Sequence, residues 1–368
     1  MSDVELYVDG TIYTGWKTVT FNSDLEQAAT TFSVGLSARV EGDISILPIM
    51  PGAACKLVVN GKVVLVGFVD GINGKYDSGS HNYTIVGRSN VGDLIDCSAI
   101  IKGGVFSNQT VSQIAESLCS PFGVEVETTA SVGAPLPKHR TEDASVHEVI
   151  ERACRRRGLL LSSSPTGGLI IAEVGAEKID TPIIKGQNVK AGNGSFTQNE
   201  RFSKYLVKGQ TDDGGEGWEL TQQIQAKGVA VDPNVKRYRP LIIDAEDGET
   251  DLTKRARFEA STRLGRSTKI TYTLQGWEHS EGLWQINKLV RVVDSYFGID
   301  GWFLINSVTF TLDQTGSKTD ITVIPKEAFT VEIINVNSSS ASKTGAKKTS
   351  GGDWGDVFNE NAAEKAGS

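Results

Sequence analysis

The sequence predicts a mainly β protein with α+β insertions: two antiparallel β-barrel units and smaller inserted domains. Three observations carry that expectation. Over residues 267–325, Ile270, Tyr272 and Leu274 alternate with Thr271, Thr273 and Gln275. Val308, Phe310 and Leu312 likewise alternate with Thr309 and Thr311. A period of two turns one set inward and the other outward. A similar succession occurs near the N-terminus, and between the two, over residues 89–176, helical spacing appears.

The N-terminal counterpart runs Lys56-Leu57-Val58-Val59, then Gly67-Phe68-Val69-Asp70-Gly71-Ile72, the turn Asp77-Ser78-Gly79-Ser80, and Tyr83-Thr84-Ile85-Val86. The later copy runs Lys288-Leu289-Val290, then Trp302-Phe303-Leu304-Ile305-Asn306-Ser307-Val308, the turn Asp313-Gln314-Thr315-Gly316-Ser317, and Ile321-Thr322-Val323. Aligning them needs unequal gaps. Two accounts therefore stand: the general sameness of antiparallel sheets, and a duplicated barrel. Two similar barrels in one chain can build a ring with twice the symmetry of the oligomer.

In chain order, residues 1–90 are expected to form the first barrel. Asp9-Gly10 and Asn60-Gly61 are two-residue hairpin turns between apolar runs. Phe32, Val34 and Leu36 alternate with Ser33, Gly35 and Ser37. Residues 91–176 are expected to form an α+β insert. Thr110-Val111-Ser112-Gln113 and Ser145-Val146-His147-Glu148 are capping boxes. Ile114, Ala115 and Leu118 follow the first at helical spacing, and Val149, Ile150 and Ala153 follow the second. Pro121 and Gly158 end these helices. Val124 and Val126 predict a strand, and Thr166-Gly167-Gly168 a hairpin turn. Residues 177–215, with Phe202 to Val207 their clearest strand, and 265–330 are assigned to the second barrel.

Residues 216–264 are an inserted segment carrying a helix over about 250–264. Leu252, Ala256, Ala260 and Leu264 make its apolar stripe. Lys254, Arg255, Arg257, Arg263 and Arg266 predict a solvated or partner-facing basic side. Residues 331–368 are a tail. Its 337–352 stretch is rich in Ser, Lys, Thr and Gly, as linkers are. Trp354 and Phe358 beyond it fit both an anchor for a partner's groove and a disordered end.

The 368 residues suffice for two or three domains with their own cores. Hydrophobic residues at 39% and charged residues at 22% are ordinary for a soluble protein. No apolar run approaches the ~20 residues of a membrane span, so no membrane insertion is expected. Met1-Ser2-Asp3-Val4-Glu5 lacks a signal-peptide pattern; the chain is expected to stay in the cytoplasm or leave by assembly or lysis. A net charge of −8 argues against a nucleic-acid reader. It suits a surface past which nucleic acid slides without sticking. Cys55, Cys97, Cys119 and Cys154 form no CxxC pair and are expected to be buried free thiols.

No strong catalytic motif is present: no GxSxG, HExxH, phosphate-binding loop or dinucleotide fingerprint. His81, His139, His147 and His279 are scattered. His147 beside Glu148 and Glu151 does not make a metal site. Asp212 and Asp213 lie in a Gly-rich loop. Arg155, Arg156 and Arg157 end a helix, where cations favour the dipole. No catalytic, cofactor-binding or metal residue is assigned, and no cofactor is expected.

Four stretches carry a family resemblance: Val8-Asp9-Gly10 with Gly15-Trp16; Gly87-Arg88-Ser89 with Asp93-Leu94-Ile95-Asp96-Cys97-Ser98-Ala99; Arg239-Pro240-Leu241-Ile242-Ile243; and Gly276-Trp277 with Gly282-Leu283-Trp284-Gln285-Ile286-Asn287. In this order and spacing the chain resembles the baseplate hub protein of contractile-tailed phages, in the form carried by Mu-like phages and prophages. The likeness ends at about residue 329.

The resemblance implies a homotrimer with a central channel, each subunit bringing two barrels of the tail-tube kind. Six such barrels would match the sixfold tube above, and the threefold end a trimeric central spike below. It also implies contact with the tail tube protein, the tape measure protein and other baseplate proteins, and DNA passing the channel without specific binding. The place would be the virion's tail baseplate, with host cytoplasm during assembly. Type VI secretion spikes of the valine–glycine-repeat kind share the hub fold but fuse it to a β-helix, which this chain lacks.

Two readings from other classes stand beside the structural one. One is a tail-associated peptidoglycan hydrolase using carboxylates such as Asp212 or Glu216. The other is a carbohydrate- or receptor-binding module presenting Trp277, Trp284 and Trp302 on one face. Core packing is the preferred account of those tryptophans.

Overall fold

A computed structural model describes residues 3–38, 49–76, 81–209, 227–245 and 251–328. The turn at Asp77, the loop residues Asp212, Asp213 and Glu216, and Trp354 and Phe358 lie outside the described residues.

The first unit comprises β1 (Val4–Val8), β2 (Thr11–Tyr13), β3 (Thr18–Asp24), β4 (Gln27–Ala38), β5 (Ala54–Val59), β6 (Lys62–Tyr76) and β7 (His81–Ser89). Its two tight hairpins form where Asp9 and Gly10 take φ of 47° and 82°, and Asn60 and Gly61 take 49° and 75°. Asn, Asp and Gly tolerate this left-handed backbone, which matches the twist of the flanking strands.

The insert follows: α1 (Val91–Asp96), β8 (Val105–Gln109), α2 (Val111–Cys119), β9 (Val126–Thr128), β10 (Leu136–Arg140), α3 (Val146–Arg155), β11 (Leu160–Ser163) and β12 (Leu169–Ala172). Both capping boxes form. Thr110 and Ser145 accept from the backbone of Gln113 and Glu148, whose side chains accept in return. The apolar faces of α2 and α3 meet in a separate core with Val91, Leu94, Leu161 and Ile171. Paired hydroxyls of Thr30 and Ser163, 2.7 Å apart, tie this insert to β4.

The remaining elements are β13 (Glu177–Ile184), β14 (Val189–Phe196), β15 (Lys204–Lys208), β16 (Lys227–Val231), β17 (Pro240–Asp244), α4 (Leu252–Ser267), β18 (Thr268–Gln275), β19 (Glu278–His279), β20 (Gly282–Leu283), β21 (Lys288–Asp294), β22 (Ile299–Asp313) and β23 (Gly316–Pro325).

The two units expected as barrels are joined edge to edge in one 13-stranded sheet, along the order β14-β18-β23-β22-β3-β4-β7-β6-β5-β1-β2, with β13 paired to β21. The repeat is explicit in the ladders. β5-β6-β7-β4-β3 and β21-β22-β23-β18-β14 have the same order and the same antiparallel pairings. Both central strands, β6 and β22, are 15 residues long. Each carries a bulge at the corresponding place, at Asp70 and at Asn306.

The joint between the units is β22 against β3, from Ser307 opposite Asp24 to Leu312 opposite Val19. Its core side is aromatic. Phe21 stacks on Phe310 at 4.3 Å, and Trp277 stands edge-on to Phe21 at 5.4 Å. Trp277 Nε1 donates to the carbonyls of Thr311 at 3.0 Å and Lys318 at 3.1 Å, satisfying its one donor inside the core.

Three expectations change. The Phe202 to Val207 strand is β15, but it pairs with β16 and β17 in a separate three-stranded sheet, not with the second unit. Tyr205, Val207 and Ala230 on that sheet pack on Leu252, Ala256 and Ala260 of α4. The approach is so close that a Cβ at Gly228 would meet the Leu252 carbonyl carbon at 2.0 Å. Second, the basic side of α4 is not wholly solvated. Arg255 is buried and pairs with Glu259 at 2.8 Å, and the Arg263 guanidinium lies over the Phe202 ring. Third, Cys97 is exposed, whereas Cys55, Cys119 and Cys154 are buried free thiols.

Candidate functional site

Alternation along the strands gives the joined sheet two unlike faces. Val19, Phe21, Phe32, Val34, Ile270, Tyr272, Val308, Phe310 and Ile321 point into the core. The residues between them form the opposite face, and register aligns them in rows across both units. One row reads Thr273, Asp320, Thr309, Asn22, Thr31 and Arg88. A second reads Gln275, Lys318, Thr311, Thr20 and Ser33, and a third Asn193, Thr271, Thr322, Ser307 and Asp24. Side chains bond along these rows. Thr271 and Thr322 hydroxyls lie 2.9 Å apart, Thr309 donates to Asn22 Oδ1 at 2.9 Å, and Thr273 donates to Asp320. Asn306, the bulge residue, turns its amide to Asp24 at 3.4 Å.

Three cations of this face, Lys318, Lys269 and Arg88, are neutralised locally. Lys318 pairs with Asp313 at 3.1 Å and Lys269 with Glu26 at 3.2 Å. Arg88 bridges Asp70 at 2.8 Å and Asp96 at 2.6 Å. The hydrogen bond from Arg88 holds the Asp96 carboxyl below the usual range. Hydrogen bonds from Thr315 and Lys318 lower Asp313 to about 2. Lys75, at the open end of β6, has no ion pair among the described residues. A phosphate backbone gains affinity chiefly by releasing counterions onto unpaired Lys and Arg. A hydroxyl surface with Arg88, Lys269 and Lys318 already paired offers a polyanion little hold.

The candidate residues for chemistry are not brought together. Among the described residues no three His, Cys, Asp or Glu gather to hold a metal ion. His139 is buried with Nε2 2.8 Å from the Val149 carbonyl. Burial lowers the His147 pKa, against the smaller pull of Glu151 and Glu148. Trp277 and Trp284 are buried in the main core, and Trp302 is half-buried with Lys178 Nζ 4.7 Å over its ring. The three therefore make no shared binding platform. No helix among the described residues is long and apolar enough to cross a membrane. Buried Tyr272 donates to Asp294 at 3.1 Å; burial, then Asp294, pushes its pKa far up, leaving a structural bond.

Reasoning from sequence missed the hydroxyl rows. The Thr residues at alternate positions were legible, but which strands become neighbours was not.

The fold is that of a phage tail protein. The 43 kDa tail protein of prophage MuSo2 from Shewanella oneidensis superposes with a TM-score of 0.81 at 34% identity, over 89% of this chain and 99% of that one. A tail protein of Neisseria meningitidis MC58 gives 0.76 at 23% identity, over 88% and 96%, a likeness of fold alone. So does a type VI secretion component of E. coli, c3393, with 0.56 at 11% over 87% and 76%. Family models match in three places: Mu phage baseplate assembly protein GpP-like, N-terminal, over residues 3–89; baseplate hub protein gp44-like, second domain, over 91–173; and Mu phage baseplate assembly protein GpP, fourth domain, over 249–332. The baseplate hub protein gp44 of Escherichia phage Mu is 34% identical over 342 residues, 90% of this chain and 89% of that protein. The chain belongs to this family of Mu-type baseplate hub proteins, structural components of the phage tail.

Proposed function

We propose that three copies form a ring that adapts the sixfold tail tube to the threefold central spike and encloses the channel through which DNA leaves. The observation that carries this reading is the duplication of the five-strand order within one chain, the two copies already joined side by side. Two like units per chain turn threefold symmetry into pseudo-sixfold. The hydroxyl face supports the channel part: the pairing of Arg88, Lys269 and Lys318 and the net charge of −8 would let DNA pass without specific binding.

In this reading residues 1–90 supply one tube-like unit, and β13, β14 and β18 to β23 the other. The insert 91–176 and the β15-β16-β17-α4 sheet lie outside the ring wall. The partners are the tail tube protein, the spike, the tape measure protein and other baseplate proteins. Assembly takes place in the host cytoplasm. The hub would hold the channel closed until firing and then release the spike. It works as an adaptor without catalytic residues, so purified protein leaves peptidoglycan uncleared on a zymogram.

Electron microscopy of the purified chain tests the reading. Rings with a central opening and six similar lobes are expected; compact particles without an opening would contradict it.

A further inference from the structure

We infer that residues 353–366 form an amphipathic helix that lies on the outer face of the β15-β16-β17 sheet of the same copy, so that α4 covers one side of this sheet and the tail the other. The inference does not rest on the ring reading.

The sheet itself is the first observation. Tyr205, Val207 and Ala230 face α4, with Leu241 and Ile243 packed beside them. The residues between them face away from α4, and register sets them in three rows: Val231, Lys204 and Pro240; Val229, Leu206 and Ile242; Lys227, Lys208 and Asp244. The middle row is wholly apolar. Val229, Val231 and Ile242 are 40%, 56% and 57% exposed. β17 runs parallel to β15 and reads Pro240-Leu241-Ile242-Ile243, apolar on both sides. Parallel strands with unbroken apolar runs are those covered on both faces. The lysines edge this apolar row. Lys204, Lys208 and Lys227 have no ion pair among the described residues. Asp244, opposite Lys208, is the single carboxylate in the three rows. Exposed Lys236, Arg237 and Tyr238, in the loop from β16 to β17, extend the basic edge at the Lys204 end.

The tail sequence matches that face. Asp353 is an N-cap residue, Asp356 puts an acid in the first turn, Lys365 a cation in the last, and Gly367 marks the end. Trp354, Val357, Phe358 and Ala362 recur at i, i+3, i+4 and i+8, one helical face. Asp356, Glu360 and Glu364, at i, i+4 and i+8, make an acidic row along its flank. An apolar stripe edged by acids thus meets an apolar row edged by lysines. A helix this short is marginal alone, and the sheet supplies the surface that holds it, as grooves hold amphipathic helices. The tether reaches. A Cβ on Gly265, near the end of α4, would stand 2.6 Å from the Ala328 Cβ, so the described chain ends beside the last turn of that helix. The length of α4 and the thickness of the sheet place the outer face about 30 Å away. Residues 329–352 span up to ~80 Å extended, and the r.m.s. span of a coil of that length is about 27 Å. A tether matched to its span gives an effective concentration of order millimolar, which favours the copy's own tail over any other at micromolar protein.

The test places a reporter thiol on the face: Ile242→Cys in the full-length chain with Cys97→Ser, which leaves only buried native thiols. A small maleimide is expected to label this chain at least about tenfold more slowly than the same chain carrying Trp354→Ala and Phe358→Ala, because a thiol must be accessible to react. Lys204→Glu with Lys208→Glu should speed labelling likewise, with the tail left unchanged. Mild oxidation of Ile242→Cys with Val357→Cys is expected to give a disulfide within one chain, reversed by reductant, whereas Ile242→Cys alone stays uncross-linked. Equally fast labelling with and without the tail substitutions means an open face and overturns the inference. Equally slow labelling means that something other than the tail covers the face, and overturns it as well. Covalent dimers of Ile242→Cys alone reveal a second copy on the face, and dimers of the double variant only put the tail on a neighbouring copy; either result overturns docking within one copy.

Discussion

Cys55, Cys119 and Cys154 sit where burial, above all, suppresses the thiolate; it pushes Cys55 and Cys119 up to about 12, and Cys154 further still. The thiolate is the reactive form. A thiol reagent added to native protein at neutral pH should therefore modify one cysteine, Cys97, promptly, and all four only after denaturation. Prompt reaction of two or more would refute the packing described. Asp24 makes a pH prediction. Burial, chiefly, raises its pKa in the fold, so the folded state holds this proton more tightly than the unfolded state. Its contribution to stability is then greatest below the ordinary carboxylate pKa, falls as pH rises toward the folded value, and is flat above it. Stability of Asp24→Asn relative to the unmodified chain should rise across that acid window and level off. A difference independent of pH would contradict the assignment.

At the scale of elements, the joint between β22 and β3 concentrates the apolar contacts that hold the two units side by side. Phe310→Ala removes a buried ring from the stack with Phe21 and Trp277. Core truncations of this kind cost about 3–5 kcal/mol. Denaturant unfolding should show a loss of that order, and a loss under 1 kcal/mol would mean the joint collapses around the gap. Much at this scale was legible in advance. Thr110 with Gln113 and Ser145 with Glu148 announce helix starts, because a cap is a local hydrogen-bond pattern. Asn60-Gly61 announces a hairpin because the turn needs left-handed backbone. The placement of β15 was not legible. Tyr205 and Val207 show that a strand is half-buried, but alternation does not name the sheet that buries it. The same limit applied to Arg255 and Arg263. Their charge predicts a wet face, whereas Glu259 and Phe202 draw them inward.

At the scale of the whole molecule, the duplication was visible as two similar runs of strands, yet the joint was not. Ser307 meets Asp24 across more than two-thirds of the chain, and no local signal encodes so distant a pairing. The hydroxyl face follows from that joint, since only the shared register brings Thr309 beside Asn22 and Thr311 beside Thr20. The central claim is that each chain supplies two neighbouring units of a threefold ring. The solution mass of the purified chain, measured by light scattering at micromolar concentration, tests it most directly. The account predicts three times the 39.5 kDa of one chain. A monodisperse monomer, unchanged when the spike is co-expressed, would contradict it.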